Sequence, residues 1–162
     1  MKATMKTNDK NDKKVKKKNK KPMNEMRFEF PSLSVNESVA RSAVAAFCSQ
    51  LDPSATEIAD VKCAVSEAVT NCIVHAYKNT IGTVYIKVRI YDGNTVRIEI
   101  KDKGCGIDDV SAAMQPLFTT DAENERSGMG FTVMESFCDG IKVRSRKDKG
   151  TTVTLTKMLE GR

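Results

Sequence analysis

The segment Ser127-Gly-Met-Gly-Phe131 stands immediately before a predicted helix and consists mainly of small residues. Small side chains leave the first backbone N–H groups of a helix accessible, and such groups bind phosphate. A glycine-rich connection without any ligand has the same composition. For this segment alone, the connection is the commoner interpretation, and a phosphate site is the alternative.

A second segment, Asp102-Lys-Gly-Cys-Gly106, directly follows a predicted strand. Glycine lets the backbone approach a ligand closely and adopt positive φ. The Asp102 carboxylate could accept a hydrogen bond from an amino group of that ligand. Any tight turn also favours Asp and Gly, so this pattern alone is weak. Gly150-Thr-Thr152, which opens the last predicted strand, is equally compatible with a simple hairpin end.

Glu67 and Asn71 are four residues apart in a long segment with helical periodicity. This spacing places both side chains on one helix face. A solvent-exposed glutamate usually has a cationic partner one turn away, but positions 63, 64, 70 and 71 hold no Lys or Arg. The presence of Ala64 on this face is also unusual for a wet surface. A second layer, supplied by a ligand or a lid, would explain both observations; an ordinary solvent face is the alternative.

The elements that must position these residues follow from hydrophobic periodicity. The sequence predicts strands at 26–30, 83–91, 95–100, 141–146 and 151–156, and helices at 36–51, 54–77, 108–113 and 129–138. Asn36 is the predicted N-cap of the first helix, and Ser54 and Glu57 form a capping box at the second. Strands joined by hairpins predict an α+β fold, a two-layer sandwich with a mixed, mostly antiparallel sheet and helices on one face.

Charge divides the chain into two regions. The whole chain of 162 residues has a formal net charge of +6, but residues 1–22 alone hold ten Lys and two Asp. Residues 23–162 hold 17 Lys+Arg and 19 Asp+Glu, so they are nearly neutral. We expect a disordered Lys-rich tail over 1–22 and one domain over 23–158. The tail is either a solvated extension or an arm for an acidic partner.

Several classes of protein are excluded by composition. No apolar run approaches the roughly 20 residues of a membrane span, and the N-terminus lacks the apolar stretch of a secretory signal. Five Cys without a Cys-x-x-Cys pair, together with one His, argue against a zinc site. Reduced thiols fit a cytoplasmic protein. The phosphate-loop pattern GxxxxGK[ST] does not occur in the sequence.

Taken together and in their order along the chain, which is Glu67/Asn71, 102–106, 127–131 and 150–152, the four motifs resemble the N box and the glycine boxes of the histidine kinase-like ATPase superfamily. This superfamily includes ATP-binding domains of gyrase, chaperones and histidine kinases. Within it, the chain is similar to the anti-sigma factor serine kinases of spore-forming bacteria. The narrower resemblance rests on Ser66-Glu-Ala-Val-Thr-Asn71, Gln115-Pro-Leu-Phe-Thr-Thr120 and Glu125-Arg-Ser-Gly-Met-Gly-Phe131. It covers about residues 24–157.

The resemblance implies a nucleotide site in which ATP lies between the sheet-and-helix layers and a mobile lid. Asn71 would bind a Mg²⁺ ion that bridges the phosphates. Glu67 would orient or deprotonate the acceptor serine hydroxyl. Asp102 would bind the adenine amino group, and Gly104 and Gly106 would let the base and the ribose approach.

The same resemblance implies the remaining contacts of the nucleotide. Its phosphate-binding loop would comprise Ser127, Gly128, Met129 and Gly130, with N–H groups of the two glycines facing the phosphates. Thr151 would support the adenine site, with Thr152 as the neighbouring candidate. Arg126 would reach the γ-phosphate from the lid as a catalytic charge clamp, and Thr119 and Thr120 would also belong to the lid.

The implied activity has two parts: the protein binds and inhibits a sigma factor of RNA polymerase, and it uses ATP to phosphorylate a serine of an anti-anti-sigma factor, leaving ADP. The family works as a homodimer, and Arg41 in the first helix is a candidate partner contact. Three alternatives remain: a general-stress kinase of the same family, a nucleotide-binding anti-sigma module without kinase activity, and a nucleic-acid binder led by the tail. The nearly neutral body leads us to expect no direct nucleic acid partner and no membrane partner.

Overall fold

The computed structural model describes residues 21–116 and 129–161. Its strands are β1 (Asn24–Pro31), β2 (Thr83–Tyr91), β3 (Thr95–Lys101), β4 (Gly140–Arg146) and β5 (Gly150–Met158). They form one sheet in the order β1-β2-β3-β5-β4, and each neighbouring pair is antiparallel. The predicted α+β sandwich is therefore confirmed, with antiparallel pairing throughout the described sheet.

The helices are α1 (Asn36–Cys48), α2 (Ala55–Asn71), α3 (Val110–Ala113) and α4 (Gly130–Phe137). A 3₁₀ turn (Ser49–Leu51) follows α1, and a π-helical turn (Cys72–Ala76) follows α2. The capping box is confirmed: Glu57 N–H donates to Ser54 Oγ over 3.2 Å, and Ser54 N–H donates to Glu57 Oε2 over 2.8 Å.

The predicted N-cap of α1 is wrong by one residue. Val35 is the N-cap, and no side chain caps it in the described structure. Asn36 is the first helical residue, and its side-chain amide donates a 2.9 Å hydrogen bond to the Pro31 carbonyl. Asn36 thus connects the start of the helix to the end of β1 instead of accepting from the helix backbone.

The hydrophobic core lies between α1, α2 and one face of the sheet. Alternation along β2 and β3 turns their β-branched residues toward the helices, where they are buried. Helix α2 packs against both α1 and α4. Ala64, predicted to lie near Glu67 on an unusual face, is fully buried. The second layer expected over α2 is therefore supplied at least in part by the protein.

The described chain extends slightly past the last strand. Leu159 is buried in the core, and its N–H donates to the Asn94 carbonyl over 3.1 Å. Most of the predicted tail lies outside the described residues, so the division at residue 22 stays a prediction. In the two described ranges, no helix has the length and apolar character needed to cross a bilayer.

Candidate functional site

Glu67 and Asn71 lie in the last two turns of α2 and face the start of α4. A Cβ atom placed on Gly130 would lie 3.2 Å from Glu67 Oε2 and 3.5 Å from each polar amide atom of Asn71. Both side chains are half-buried. The structure thus brings together the carboxylate, the amide and the first residue of α4, which are far apart in sequence.

The start of α4 lies at the edge of a described range, which resumes at Met129. Met129 is the N-cap residue, and no side-chain hydrogen bond caps this helix in the described structure. The first N–H groups of a helix have no intrahelical acceptor and carry a partial positive charge. Next to Asn71, these groups form a suitable place for a phosphate.

Asp102 occupies a buried position at the end of β3, with only 3% of its surface exposed. Its Oδ1 accepts hydrogen bonds from the backbone N–H of Gly104 (2.9 Å) and of Thr151 (3.1 Å). Burial raises the pKa of Asp102, and these two N–H donors act in the opposite direction. Its Oδ2 receives, among the described residues, only the Cys72 thiol at 3.7 Å. This second oxygen is therefore available to a stronger donor.

Cys72 was not among the predicted site residues. Burial, followed by the nearby Asp102 charge, raises the pKa of its thiol, so the thiol stays protonated and donates to the carboxylate. In the sequence it belongs to the apolar stripe of the helix predicted over 54–77, which indicated a core residue. The structure shows that Cys72 is indeed buried in the core. Nothing in the sequence distinguishes it from the other core cysteine, Cys48.

Gly104 and Gly106 are required by close contacts between backbone segments. A Cβ atom on Gly104 would lie 2.1 Å from the Ala76 carbonyl oxygen, and one on Gly106 would lie 2.2 Å from the Arg146 carbonyl oxygen. Gly106 also has a φ of +73°. Both glycines are thus required where the loop packs against the π-helical turn and β4. Their contacts with the base and the ribose stay a prediction.

The π-helical turn joins Asn71 to the loop of residues 102–106, which we call the Asp102 loop. The Ala76 carbonyl accepts from Cys105 N–H over 3.0 Å. The Tyr77 hydroxyl accepts from Lys103 N–H over 2.8 Å and donates to the Thr83 carbonyl over 2.7 Å. π-helical turns occur often at functional sites. The sequence predicted a continuous helix to Tyr77, since its apolar spacing does not distinguish the two forms.

Thr151 holds the other side of the Asp102 loop. Its carbonyl accepts from Asp102 N–H over 2.9 Å, and its hydroxyl lies 2.8 Å from Ser145 Oγ. Ser145 in turn accepts from Ile107 N–H over 2.7 Å. The predicted role of Thr151, to support the adenine site, stays a prediction. Ser145 was missed because nothing in the β4 pattern marks it.

A cleft of about 330 Å³ reaches Glu67 from the side of α1. Its lining includes Arg41, Ser42, Lys62, Ser66, Glu67 and Val133. Arg41 also forms a 3.7 Å ion pair with Glu37 on the same helix. The cleft leads from solvent to the carboxylate, a route that the sequence did not predict because its walls come from three helices.

Five predicted site residues lie outside the described residues: Thr119, Thr120, Arg126, Ser127 and Gly128. Their assignment to a lid and a phosphate loop stays a prediction. Met129 and Gly130, the last two residues of that loop, are described and stand at the start of α4.

The fold has been seen before in histidine kinases. The chain matches ShkA in complex with AMPPNP with a TM-score of 0.55 and 15% identity, over 83% of this chain and 32% of that one. It matches the histidine kinase domain of the Erythrobacter litoralis EL346 blue-light activated histidine kinase with a TM-score of 0.50 and 17% identity, over 76% of this chain and 61% of that one. This chain therefore spans less than two thirds of either structure, and at these identities the likeness establishes the fold alone.

Sequence comparison defines the family more narrowly. Residues 30–157 match the model of the histidine kinase-like ATPase domain. The anti-sigma F factor of Caldanaerobacter subterraneus subsp. tengcongensis is 58% identical over 136 residues, which cover 84% of this chain and 94% of that protein. That of Bacillus licheniformis is 54% identical over 137 residues, covering 84% and 93%. The resemblance drawn from the motifs is confirmed: the chain belongs to the histidine kinase-like ATPase domain family and, within it, to the anti-sigma F factor family.

Proposed function

We propose that this chain is an anti-sigma factor that binds and inhibits a sporulation sigma factor and that also phosphorylates a serine of an anti-anti-sigma factor with ATP. The observation that carries the catalytic part is the convergence of Glu67 and Asn71 on Gly130 at the start of α4. A carboxylate, an amide oxygen and helix N–H groups at one point suit phosphoryl transfer, which depends on positioning and charge stabilisation.

The adenine would bind at Asp102. Its Oδ1 is occupied by two backbone donors, so Oδ2 is the oxygen that would accept from the adenine amino group. Thr151 and Gly104 hold the carboxylate in this orientation before any ligand arrives. The phosphates would extend from there to the start of α4, where Met129 and Gly130 lie. Arg126, Thr119, Thr120, Ser127 and Gly128 would complete the phosphate side.

The donor set at Asn71 fits Mg²⁺. Among the described residues, no group of three or more His, Cys, Asp or Glu side chains could hold a metal ion. Mg²⁺ commonly uses one or two protein oxygens together with substrate phosphates and water, and the Asn71 amide oxygen meets that requirement. When bound, the ion would neutralise charge on the phosphates.

Glu67 would act on the acceptor serine. In the described structure it forms no ion pair. A protein substrate would reach it through the cleft beside Arg41. The serine oxygen would form a bond to the γ-phosphorus while the bond to the β-phosphate oxygen breaks, leaving ADP. Glu67 would orient the hydroxyl and take its proton.

Partner binding would use the start of α1. Val35 and Val39 are apolar yet 74% and 63% exposed, and Leu33 is also exposed nearby. Exposed apolar residues grouped in this way are typical of protein contact sites. We assign this surface to the homodimer, with Arg41 at its margin facing the sigma factor, and we place the protein in the cytoplasm.

The kinase proposal is tested by transfer of labelled phosphate from ATP to the anti-anti-sigma factor. Glu67→Gln keeps the size of the side chain and removes its basicity, so transfer should fall by about 10²-fold or more while ATP binding persists. Asn71→Ala should weaken transfer through the loss of the metal ligand. An unchanged rate in Glu67→Gln would refute the role of Glu67 as the base. Absence of transfer by the wild-type chain would favour the alternative of a nucleotide-binding anti-sigma module without kinase activity.

The choice of sigma factor needs a separate experiment. A general-stress kinase of the same family would have the same catalytic site, and only the names of the close relatives favour the sporulation partner. Capture of one sigma factor by the purified chain, in competition between the two classes, decides this point. Preferential capture of the general-stress factor would refute the sporulation assignment.

A further inference from the structure

The face of the sheet that points away from the helices is strongly basic on one side. The outward positions of β3, β4 and β5 include five exposed cations: Arg97, Lys101, Lys142, Arg144 and Arg146. We name these five residues, with the threonines of β5 between them, the basic face. Glu99 is the single carboxylate among the outward residues of these three strands. The small net charge of residues 23–162 hides this segregation, because it only sums the charges.

The pairing register gives the basic face a regular geometry. Thr152, Thr154 and Thr156 form its floor on β5, which lies between β3 and β4. Thr152 stands between Lys101 and Arg144. Since neighbouring strands are about 4.8 Å apart, cations on β3 and β4 face each other across roughly 10 Å. Along β4 the outward cations recur about every 6.7 Å.

This arrangement forms a shallow cleft. Its volume is about 310 Å³, and its lining includes three cations (Arg97, Lys142 and Arg144), two threonines (Thr154 and Thr156) and the carboxylate of Glu99. Long cationic side chains rise on both sides of a row of short hydroxyl groups. The cleft is therefore shaped and charged for an extended anionic chain.

The positive charge of the basic face is not neutralised by the described protein. The Glu99 carboxylate is already engaged by Lys87 at 3.6 Å and by Arg89 at 3.4 Å. None of the five cations forms an ion pair with another residue in the part of the chain that the structure describes. Uncompensated cations in a row attract a polyanion.

The composition of the basic face favours nucleic acid over a protein partner. Protein interfaces have cores enriched in apolar and aromatic residues and depleted in Lys, whereas nucleic-acid interfaces are polar and positively charged. Here the floor is threonine, and the walls carry five Lys and Arg side chains and the single carboxylate of Glu99. A second copy of the chain is disfavoured too, because a two-fold contact would place the cations against each other.

Two features favour a single strand of RNA. An open sheet face can hold unpaired nucleotides, whose bases stack on aromatic or guanidinium planes. The Arg97 guanidinium lies 5.2 Å from the centre of the Tyr91 ring and provides such a platform at one end. The threonine hydroxyls can both donate to phosphate oxygens and accept from ribose 2′-hydroxyls.

We propose that the basic face binds single-stranded RNA, with Lys142 and Arg144 contacting phosphates and the threonines of β5 contacting ribose. This site is separate from the nucleotide site and does not depend on the proposed kinase activity. It also reverses the expectation, drawn from the nearly neutral sum of charges, that the domain has no nucleic acid partner.

The test is fluorescence anisotropy of a labelled mixed-sequence RNA of about 20 nucleotides, longer than a typical single-strand site. The full chain is titrated between about 50 and 200 mM salt. Lys142→Glu combined with Arg144→Glu should weaken binding at least about tenfold and lower the salt slope by about 1.4, which corresponds to two lost phosphate contacts. Lys62→Glu combined with Lys78→Glu changes the net charge equally outside the basic face and should change affinity less than about twofold.

Further arms identify the partner. A full-length variant in which glutamine replaces the ten tail lysines should keep the effect of the β4 substitutions. Unchanged binding of RNA by the β4 double variant, or loss only in the tail variant, would overturn the proposal. Equal or tighter binding of single-stranded DNA, duplex DNA or polyglutamate would overturn the assignment to RNA. The melting temperature and ATP affinity of each variant show that the domain is intact.

Discussion

The thiol of Cys72 and the carboxylate of Asp102 lie 3.7 Å apart, although 30 residues separate them in the chain. The thiol comes from the π-helical turn that follows Asn71, and the carboxylate comes from the end of β3. The contact ties the helix that carries Glu67 and Asn71 to the loop proposed to bind adenine. It also leaves Asp102 Oδ2 with a weak donor that a nucleotide can replace.

Asp102→Asn should invert the hydrogen-bonding character of the base site. Two backbone N–H groups face the Oδ1 position, so the amide oxygen must point there and the amide NH₂ must occupy the Oδ2 position. A donor there cannot accept from the adenine amino group. ATP affinity should fall by about 10-fold to 100-fold, as expected for a lost hydrogen bond with an unpaired donor.

Isothermal titration calorimetry with ATP and ITP checks this prediction. ITP carries a carbonyl oxygen in place of the amino group, so the Asp102→Asn variant should bind ITP better relative to ATP than the wild-type chain does. A parallel loss for both nucleotides, with an unchanged melting temperature, would contradict the proposed contact.

The stability of the fold should depend on pH through Asp102. Burial raises the pKa of this carboxyl in the folded chain above its ordinary value, so the folded state binds the proton more tightly than the unfolded state. The free energy of unfolding of the wild type, measured against Asp102→Asn, should be highest in acid. It should decrease as pH rises from the ordinary carboxyl range through the raised pKa, and then stay constant.

Urea denaturation of both proteins at several pH values measures that difference. The comparison with Asp102→Asn cancels other carboxylates, such as Glu25 and Glu57, whose pKa values are lowered by hydrogen bonds with Arg89 and with the Ser54 backbone, respectively. A difference that grows as pH rises would mean that the backbone donors outweigh burial at Asp102.

Gly130→Ala should separate activity from stability. A methyl group there would lie 3.2 Å from Glu67 Oε2 and 3.5 Å from the Asn71 amide, so it would crowd the place proposed for the phosphate. In the middle of a helix alanine is more stabilising than glycine by about 0.5–1 kcal/mol. Gly130 is the first residue of α4, so the gain there is at most of this size, and it opposes the crowding. We expect phosphate transfer to fall at least about tenfold while the free energy of unfolding changes by less than about 1 kcal/mol.

Ser136→Ala, a substitution at an exposed position of the same helix, is the matched control and should leave transfer unchanged. Steady-state phosphorylation assays and thermal unfolding measure both properties. Equal activity of Gly130→Ala and wild type would show that the phosphate does not lie between α4 and Asn71.

The five thiols should differ in reactivity. Burial raises the pKa of Cys48 to about 12 and that of Cys138 to about 11, and Cys72 is also buried and raised. Cys63 and Cys105 are exposed. Thiolates are the reactive form, so the native chain should react with iodoacetamide mainly at these two exposed residues.

ATP should slow the labelling of Cys105, which lies between Gly104 and Gly106, and should leave Cys63 less affected. Peptide mapping by mass spectrometry after timed labelling measures each site. Equal rates at Cys105 with and without ATP would place the nucleotide elsewhere.

The type of most elements was predictable from the sequence because it depends on local patterns. Alternating apolar residues in β2 and β3 predicted strands, and the Ser54–Glu57 spacing predicted the start of α2, as the structure confirms. The N-cap of α1 was misplaced because Asn36 bonds to the Pro31 carbonyl, a contact that requires β1 to end beside the helix.

Helical spacing by itself determined the shared face of Glu67 and Asn71. The order of the motifs carried the resemblance to the family, and that resemblance implied the candidate role of Asp102. Tertiary structure alone placed Gly130 against Glu67, joined the Cys72 thiol to Asp102, and assembled the basic face from three strands. The reason is physical: periodicity reports which side of one element a residue occupies, whereas contacts between elements depend on packing and strand register. The summed charge of residues 23–162 shows the same limit, because it counts charges without showing which of them share a surface.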